Sequence, residues 1–436
     1  MIWSKEETLS RSEIEEIQLK KLKETVRYIY EKVAPYRQKM DEAGVKPEDI
    51  QSLRDLTKLP FTYKADFRDN YPMGLFAVDR KDLVRFHASS GTTGKPTVVG
   101  YTRNDLEMWL NNVARVACMG GATADDVAQI SFGYGTFTGA LGLHGGLEKI
   151  GASVIPMSSG NTKKQIMFLK DMGVTLLVAT PSYALHLGEE IRAKGMDPEK
   201  DLNVHIGLFG GEGMTEPMRE EMHKVWGEGF LCTQNYGMSE LCGPGVAGEC
   251  QELAGMHINE DWFIPEIIDP ETEEVLPPGE KGELVVTCLG KEALPLVRYR
   301  TGDITRLMYE PCRCGRTTVR MENISGRADD MLVIRGVNVF PTQIEEVLLQ
   351  IPEIGPHYEI LVERKNRLDV MTITVELVDD RLLDSYSQLS ELEMKIRKGL
   401  KSQLGLATQI RLVAPYSLKR FEGKAKRVTD LRKDGL

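Results

Sequence analysis

Between Asp126 and Asn235, four short apolar runs (VAQISF, SVIPM, TLLVATP and NVHIGLF) alternate with stretches that suit amphipathic helices, KKQIMFLKDMG, YALHLGEEIRAKG and EPMREEMHKVW. Short apolar runs of this kind suit strands buried on both faces, and helices on both sides of a parallel sheet provide that burial. No other feature constrains the chain as much. It predicts an α/β fold built on a mostly parallel sheet. In such sheets the carboxyl ends of the strands are the usual ligand-binding edge, so residues just after these runs are the first candidates for a site.

The flanks have a different texture. Ser12 followed by Glu15 reads as a capping box, and Ile14, Ile17, Val26, Ile29 and Val33 recur near helical spacing up to Pro35. This predicts an N-terminal helix that packs on the body or on another subunit, so a homodimer is one expectation. From Pro265 to Met308 the segments PEIID and EEVLPPGEKGELVVT predict a smaller β-rich subdomain. After Gly326 the pattern alternates again. It reads as a strand near Leu332, a helix from Thr342, strands YEILVER and LDVMTITVEL, a helix over Leu389 to Leu404, and strand QIRLVAP. That order predicts a small C-terminal α+β domain close to a split βαβ sandwich. The expected boundary divides residues 1–328 from residues 329–436, with Asp329 as a short hinge.

Composition excludes some functions. The 436 residues carry a formal charge of -10, so there is no global basic field for nucleic acid. A polyanion would need a local device: backbone N–H groups, a few cations or a metal. No uncharged apolar run is long enough to span a bilayer, and MIWSKEETLSRSEIEE has no apolar signal segment. The seven cysteines are then expected to be reduced or metal-bound in the cytoplasm.

Several motifs offer chemistry. HASSGTTGKPTVVGYT, from His87 to Thr102, brings hydroxyls, glycines and a cation together in Ser89, Ser90, Gly91, Thr92, Thr93, Gly94 and Lys95. Glycines let the backbone approach a phosphate, and hydroxyls donate to its oxygens. Pro96 stands where a Walker A loop needs Ser or Thr, and the flanks read as two strands, so this is a hairpin loop. FGGEGMTEP exposes Gly210, Gly211 and Glu212 after an apolar strand. QNYGMSE places Tyr236, Gly237, Met238, Ser239 and Glu240 after another. The tyrosine suits stacking on a base, and the glutamate suits Mg²⁺, which binds through one or two carboxylates plus substrate phosphates. In VRYRTGDITR, the Asp303 carboxylate suits a pair of ribose hydroxyls. SGRADDMLVIRGVNVFPTQIEEVL and FEGKAKRVTDL carry Arg327, Asp329, Arg335, Gly336 and Lys424. Each motif alone has a bland alternative as a turn, a salt-bridged loop or a solvated basic face.

Together and in this order, SSGTTGKPT, FGYGTFTGALG, NYGMSE, YRTGD and GRADDMLVIRGVNVFPTQIEEVL resemble the adenylate-forming superfamily, and within it the phenylacetate–CoA ligase family. The resemblance runs over nearly the whole chain. It implies a large adenylate-forming N-terminal domain, a mobile C-terminal domain, and activation of a carboxylic acid by MgATP before transfer to coenzyme A. It implies that Ser89 to Lys95 hold the β- and γ-phosphates, that Gly211 and Glu212 border the adenine, and that Tyr236 stacks on it. Glu240 would bind Mg²⁺. Asp303, helped by Arg327, would hold the ribose. Lys424 would reach the acyl carboxylate and α-phosphate, while Arg335 and Gly336 would lie on the CoA side.

The segment SFGYGTFTGALGLHGGLEKIG adds a candidate acyl pocket. Its glycines, Gly139 among them, leave space between the aromatic walls of Phe132, Tyr134 and Phe137. Such a lining suits a flat ring, and the family resemblance makes that ring an arylacetate. Cys250, His257, Cys312 and Cys314 form a possible set of four zinc ligands, all from protein, which suits a structural site. Two other readings stay open. One is adenylyl transfer of the coenzyme F390 synthetase type, without a thioester. The other is a catalytically dead nucleotide-binding regulator, which the joint presence of Lys95, Glu240, Asp303 and Lys424 argues against.

Overall fold

The computed structural model describes residues 1–89, 96–327, 332–335, 337–365, 368–421 and 425–432. The alternation after Asp126 folds into five neighbouring parallel strands. In spatial order they are Ser153–Ile155, Val127–Ile130, Leu176–Ala179, Ile206–Phe209 and Leu231–Met238. Their side chains divide between two cores with the period of two that a strand imposes. Leu176, Val178 and Leu208 join one core with Val113 and Leu143 from the helices Arg103–Met119 and Thr138–Ile150. Leu177, Ala179 and Phe209 face the other, with Tyr183, Leu187, Met222 and Trp226 from the helices Pro181–Ala193 and Glu216–Trp226.

The sheet does not stop at the parallel run. Gly243–Glu249 returns antiparallel beside Leu231–Met238, and Met256–Ile258, Arg320–Met321 and Leu307–Met308 extend it to nine strands among the described residues. The β-rich subdomain is a four-stranded antiparallel sheet of Phe263–Ile268, Gly282–Cys288, Tyr299–Thr305 and Gly326–Arg327.

The N-terminal helix runs from Arg11 to Lys32, and its cap differs from the expected one. Ser10 is the N-cap: its Oγ accepts from the Glu13 N–H at 3.4 Å, and Glu13 Oε2 accepts from the Ser10 N–H at 2.8 Å. Ser12 already sits inside the first turn, where its hydroxyl cannot reach a free N–H ahead of it, and Glu15 pairs with Arg11 at 3.4 Å instead. The helix also ends before Pro35. Val33 turns extended, and Pro35 lies in the first turn of a second helix, Ala34–Glu42, where its missing N–H costs nothing. The first helix packs on the body: Leu22, Val26 and Ile29 enter the main core, and Gln18 donates to the Glu260 carbonyl at 2.9 Å.

The C-terminal unit has its own core, from Ile334 and Ile344 to Ile373, Ile396 and Leu400. Strands Ile354–Lys365 and Leu368–Leu377 form the central antiparallel pair, with Gln409–Val413 parallel to the second. Helices Pro341–Leu348 and Tyr386–Leu404 accompany them. Two details go beyond the sequence reading. The strand near Leu332 is half of a hairpin with Val337–Val339, and Val428–Asp430 adds a fourth strand parallel to Ile354–Lys365. The expected hinge, Asp329, lies outside the described residues. No described helix is long and apolar enough to cross a membrane.

Candidate active site

Two strand ends and one edge of the β-rich sheet converge. Strand Ile206–Phe209 runs into Gly210, Gly211 and Glu212, and Gly211 has φ +79°, a conformation that glycine adopts without penalty. Strand Leu231–Met238 carries Tyr236, Gly237 and Met238 at its end. Tyr236 donates to Asp303 Oδ2 at 2.6 Å. Asp303 lies on Tyr299–Thr305 directly opposite Arg327, whose Nε is 3.4 Å from Oδ1. Burial, followed by the neighbouring Asp303 charge, holds the Tyr236 phenol well above its usual pKa, so it remains a donor. Gly237 is required where the strand changes partners: an added Cβ would sit 1.6 Å from the Gly243 carbonyl oxygen.

Glu240 follows in the short 3₁₀ turn Ser239–Leu241 and is buried. Tyr299 donates to its Oε1 at 3.4 Å, which ties it to the strand that carries Asp303. Ser239 Oγ lies 3.2 Å from Thr138 Oγ1, at the start of the helix Thr138–Ile150.

The glycine-rich loop is flanked by the expected hairpin, Arg85–Ala88 against Val98–Tyr101. The Ser89 N–H donates to the Thr97 carbonyl at 3.0 Å, while Ser90, Gly91, Thr92, Thr93, Gly94 and Lys95 lie outside the described residues. His87 joins this hairpin to the candidate acyl segment. Its Nδ1 is 3.1 Å from the carbonyls of both Thr136 and Phe137, so Nδ1 carries the proton. Phe132 and Tyr134 are half-buried against the main core, and Phe132 lies beside Gly211. The Tyr134 hydroxyl is 2.9 Å from His144 Nδ1. Phe137 is 48% exposed, so it faces solvent more than the wall reading implies, and the space beside Gly139 is open to 4 Å.

The C-terminal unit reaches the same edge. Lys424 and Gly336 lie outside the described residues, but the Ala425 N–H donates to Glu212 Oε1, and Ser182 Oγ donates to Glu212 Oε2 at 2.7 Å. The carboxylate read as an adenine neighbour thus also seats the segment after Lys424. Arg427 pairs with buried Glu345, which also accepts from Tyr358 at 3.0 Å and, across the domain junction, from Thr215 at 3.4 Å. Arg335 is exposed, at φ +53°, and donates to the Asp369 carbonyl at 2.8 Å. Sequence reasoning assigned no role to Ser182, Tyr299, Glu345 or Arg427. Tyr299, Glu345 and Arg427 lay inside motifs already singled out, and only Ser182 lay outside them; all four meet the site through tertiary contacts that no local pattern encodes.

Away from this edge, the donor atoms of Cys250, His257, Cys312 and Cys314 all lie within 4.8 Å of one another. Cys250 Sγ and Cys312 Sγ are 3.7 Å apart, and Cys314 Sγ is 3.4 Å from His257 Nε2. Zinc–sulfur bonds of about 2.3 Å in a tetrahedron place two sulfurs about 3.8 Å apart, so the spacing fits that ion. His257 Nδ1 faces Thr318 Oγ1 at 3.1 Å, the kind of outer contact that orients a ligating imidazole. Burial raises the Cys314 thiol, but hydrogen bonding to His257 and Arg316 outweighs it and brings the group down to about 5.

Comparison with known proteins agrees with this layout. The AMP-binding enzyme family matches residues 5–288, and the AMP-binding enzyme C-terminal domain matches residues 336–432. The phenylacetate-coenzyme A ligase of Thermus thermophilus is 48% identical over 98% of this chain and 98% of its own. 2-Hydroxyisobutyryl-CoA ligase in the postadenylation state, with 2-HIB-AMP, superposes with a TM-score of 0.91 at 27% identity, covering 98% of this chain and 92% of that one. The same ligase with CoA in the thioesterification state reaches only 0.71, at the same identity and coverage. On the family match and the full-length likeness, the chain belongs to the phenylacetate–CoA ligase family of adenylate-forming, AMP-binding enzymes.

Proposed function

We propose that this AMP-forming acyl-CoA ligase activates an arylacetate, with phenylacetate or indoleacetate first and benzoates behind. The observation that carries the substrate reading is the 48% identity with a phenylacetate-coenzyme A ligase over 98% of both chains. The aromatic residues Phe132 and Tyr134 and the open space at Gly139 support it.

The chemistry has two half-reactions. A carboxylate oxygen attacks the α-phosphorus of ATP in line, and pyrophosphate leaves. The CoA sulfur then attacks the acyl carbonyl, AMP leaves, and the thiol proton is lost. Positioning and charge neutralisation suffice for both, with no covalent enzyme intermediate. In this reading Asp303 accepts the ribose hydroxyls, held in place by Tyr236 and Arg327, and the loop Ser89 to Lys95 carries the departing phosphates. Lys424 neutralises charge at the α-phosphate. Glu240, a hard oxygen donor, would hold Mg²⁺, which when bound offsets phosphate charge. Cys250, His257, Cys312 and Cys314 would hold a structural Zn²⁺, a role their sulfur spacing fits. The arrangement of the two domains is read as the adenylation side of the cycle, given the higher TM-score with the postadenylation structure.

Adenylyl transfer without a thioester is not favoured by the full-length likeness to a CoA ligase. A cytoplasmic homodimer remains part of the proposal, and light scattering reads its oligomeric state. The function is tested with a panel of aryl and alkyl acids, scoring AMP formation with and without CoA. Arylacetates are expected to lead, with AMP release dependent on CoA. Better turnover of acetate or a medium-chain acid than of every arylacetate overturns the substrate reading, and thiol-independent AMP transfer overturns the ligase reading.

A further inference from the structure

Lys291 is among the most deeply buried large side chains of the protein, at 1% exposure. A buried ammonium is costly unless its protons find partners, and a lone lysine is rarely kept inside without one. Among the described residues no carboxylate lies within 4.0 Å of it. Its Nζ donates instead to the backbone carbonyl of Glu240 at 3.3 Å and sits 4.8 Å over the Tyr101 ring. Lys291 therefore spans the turn that presents the Glu240 side chain.

That turn needs a brace. After Glu240 the chain passes through two successive left-handed residues, Cys242 at φ +80° and Gly243 at φ +60°. A side chain at such an angle costs of order 1–3 kcal/mol and persists only where its surroundings fix it. The surroundings do. Tyr101, stacked on Trp109 at 5.0 Å, donates to the Ser239 carbonyl at 3.4 Å. Trp109 donates to the Pro244 carbonyl at 3.2 Å. The Lys291 loop is itself held fast. Asp105 accepts from the N–H groups of Glu292 and Ala293 at 2.7 and 2.9 Å, and Thr25 Oγ1 accepts from the Gly290 N–H at 3.0 Å. The path runs from the helix Arg103–Met119, through a pinned loop, to one ammonium against the backbone of the turn.

We infer that Lys291 is a positioning residue for the candidate Mg²⁺ carboxylate, holding the Glu240 turn in the geometry that adenylation requires. This rests on the proposed Mg²⁺ role of Glu240. It assigns Lys291 no contact with substrate. Removing the ammonium frees the Glu240 carbonyl and relaxes the turn, so the carboxylate loses its fixed position. Supporting groups of this kind typically change metal affinity or activity by about 10–100-fold.

The test uses the full-length enzyme and reads the Mg²⁺ concentration for half-maximal adenylation, by pyrophosphate release. Lys291→Met is expected to raise it by about 10-fold or more, with the KM for the aryl acid within about twofold. Thioester formation from a supplied acyl-adenylate should also stay within about twofold of wild type. An unchanged Mg²⁺ requirement, or equal loss in both half-reactions, overturns the inference. If Lys291→Met does not fold, Lys291→Gln, which keeps a donor without the charge, is read on the same axes. It should show a smaller shift in the same direction, and the same two results overturn the inference. Glu240→Gln in parallel separates the two claims. If it leaves the Mg²⁺ requirement unchanged, the metal-ligand reading fails. If it raises the requirement and the Lys291 variants do not, the positioning inference alone fails.

Discussion

At the scale of single residues, the site depends on polar groups that are buried and already paired. Tyr236 is the clearest case. Its motif was legible as an aromatic after a strand, and a stacking role followed from the ring. Its hydroxyl bond to Asp303, 67 positions away in sequence, was not legible, because nothing local to either motif encodes the other. The pairing predicts a specific defect. Tyr236→Phe keeps the ring and removes the donor, leaving Asp303 less firmly placed. A hydrogen bond to a charged group is worth about 1.5–3 kcal/mol, so the KM for ATP is expected to rise by roughly 10- to 100-fold at most. Steady-state kinetics check this, with the KM for the aryl acid moving far less. A variant with wild-type ATP dependence would remove Tyr236 from the nucleotide site.

At the scale of elements, periodicity was a reliable guide wherever a face is buried. The strands Leu176–Ala179 and Ile206–Phe209 read as continuous apolar runs because both of their faces are covered. Capping was less legible. Ser12 and Ser10 stand at equal offsets from Glu15 and Glu13, and only the first helical hydrogen bonds decide between them. The antiparallel half of the large sheet was also missed, since Gly243–Glu249 is glycine-rich and buried along its whole length, and the two- and three-residue strands after it are too short to show a period. Those strands bring Cys250 and His257 up to Cys312 and Cys314, so the metal cluster belongs to this scale. Freshly purified protein is expected to contain about one Zn²⁺ per chain by elemental analysis. Chelation or Cys312→Ser should lower the thermal midpoint more than it changes acid preference, because ligand binding to the folded state adds directly to stability. Metal-free protein with an unchanged melting temperature would argue for a cluster of thiols only.

At the scale of the whole molecule, the two domains meet through polar contacts and through Leu349 of the C-terminal unit, which joins the large-domain core that holds Tyr183, Met218 and Trp226. Ala425 to Glu212, Thr215 to Glu345 and His357 to Glu189 at 3.2 Å cross the junction. Such a junction suits a unit that swings, and the proposed hinge at Asp329 gives it a pivot. Asp329→Pro fixes φ near about -65° and removes a backbone donor. It is expected to slow thioester formation from a supplied acyl-adenylate more than it slows adenylation. Lys424→Ala should show the reverse pattern, impairing adenylation and sparing the thioester step. Single-turnover assays of each half-reaction check both, and an Asp329→Pro enzyme with two wild-type rates would move the hinge elsewhere.

The sequence by itself determined the α/β class, the order of its parts, the strand ends that carry the candidate site, and four residues with the chemistry of a zinc site. These are encoded locally, in hydrophobic period, turn residues and short motifs, and a local signal survives without knowledge of the fold. Tertiary structure alone decided which groups complete one another. It joined Tyr236 to Asp303, seated the Ala425 segment on Glu212, packed the N-terminal helix on the body, and set Lys291 under the Glu240 turn. Each of these includes a buried or partly buried polar contact between distant parts of the chain. Burial makes such partners necessary, since an unpaired polar group inside is costly, but it does not tell the sequence where the partner lies.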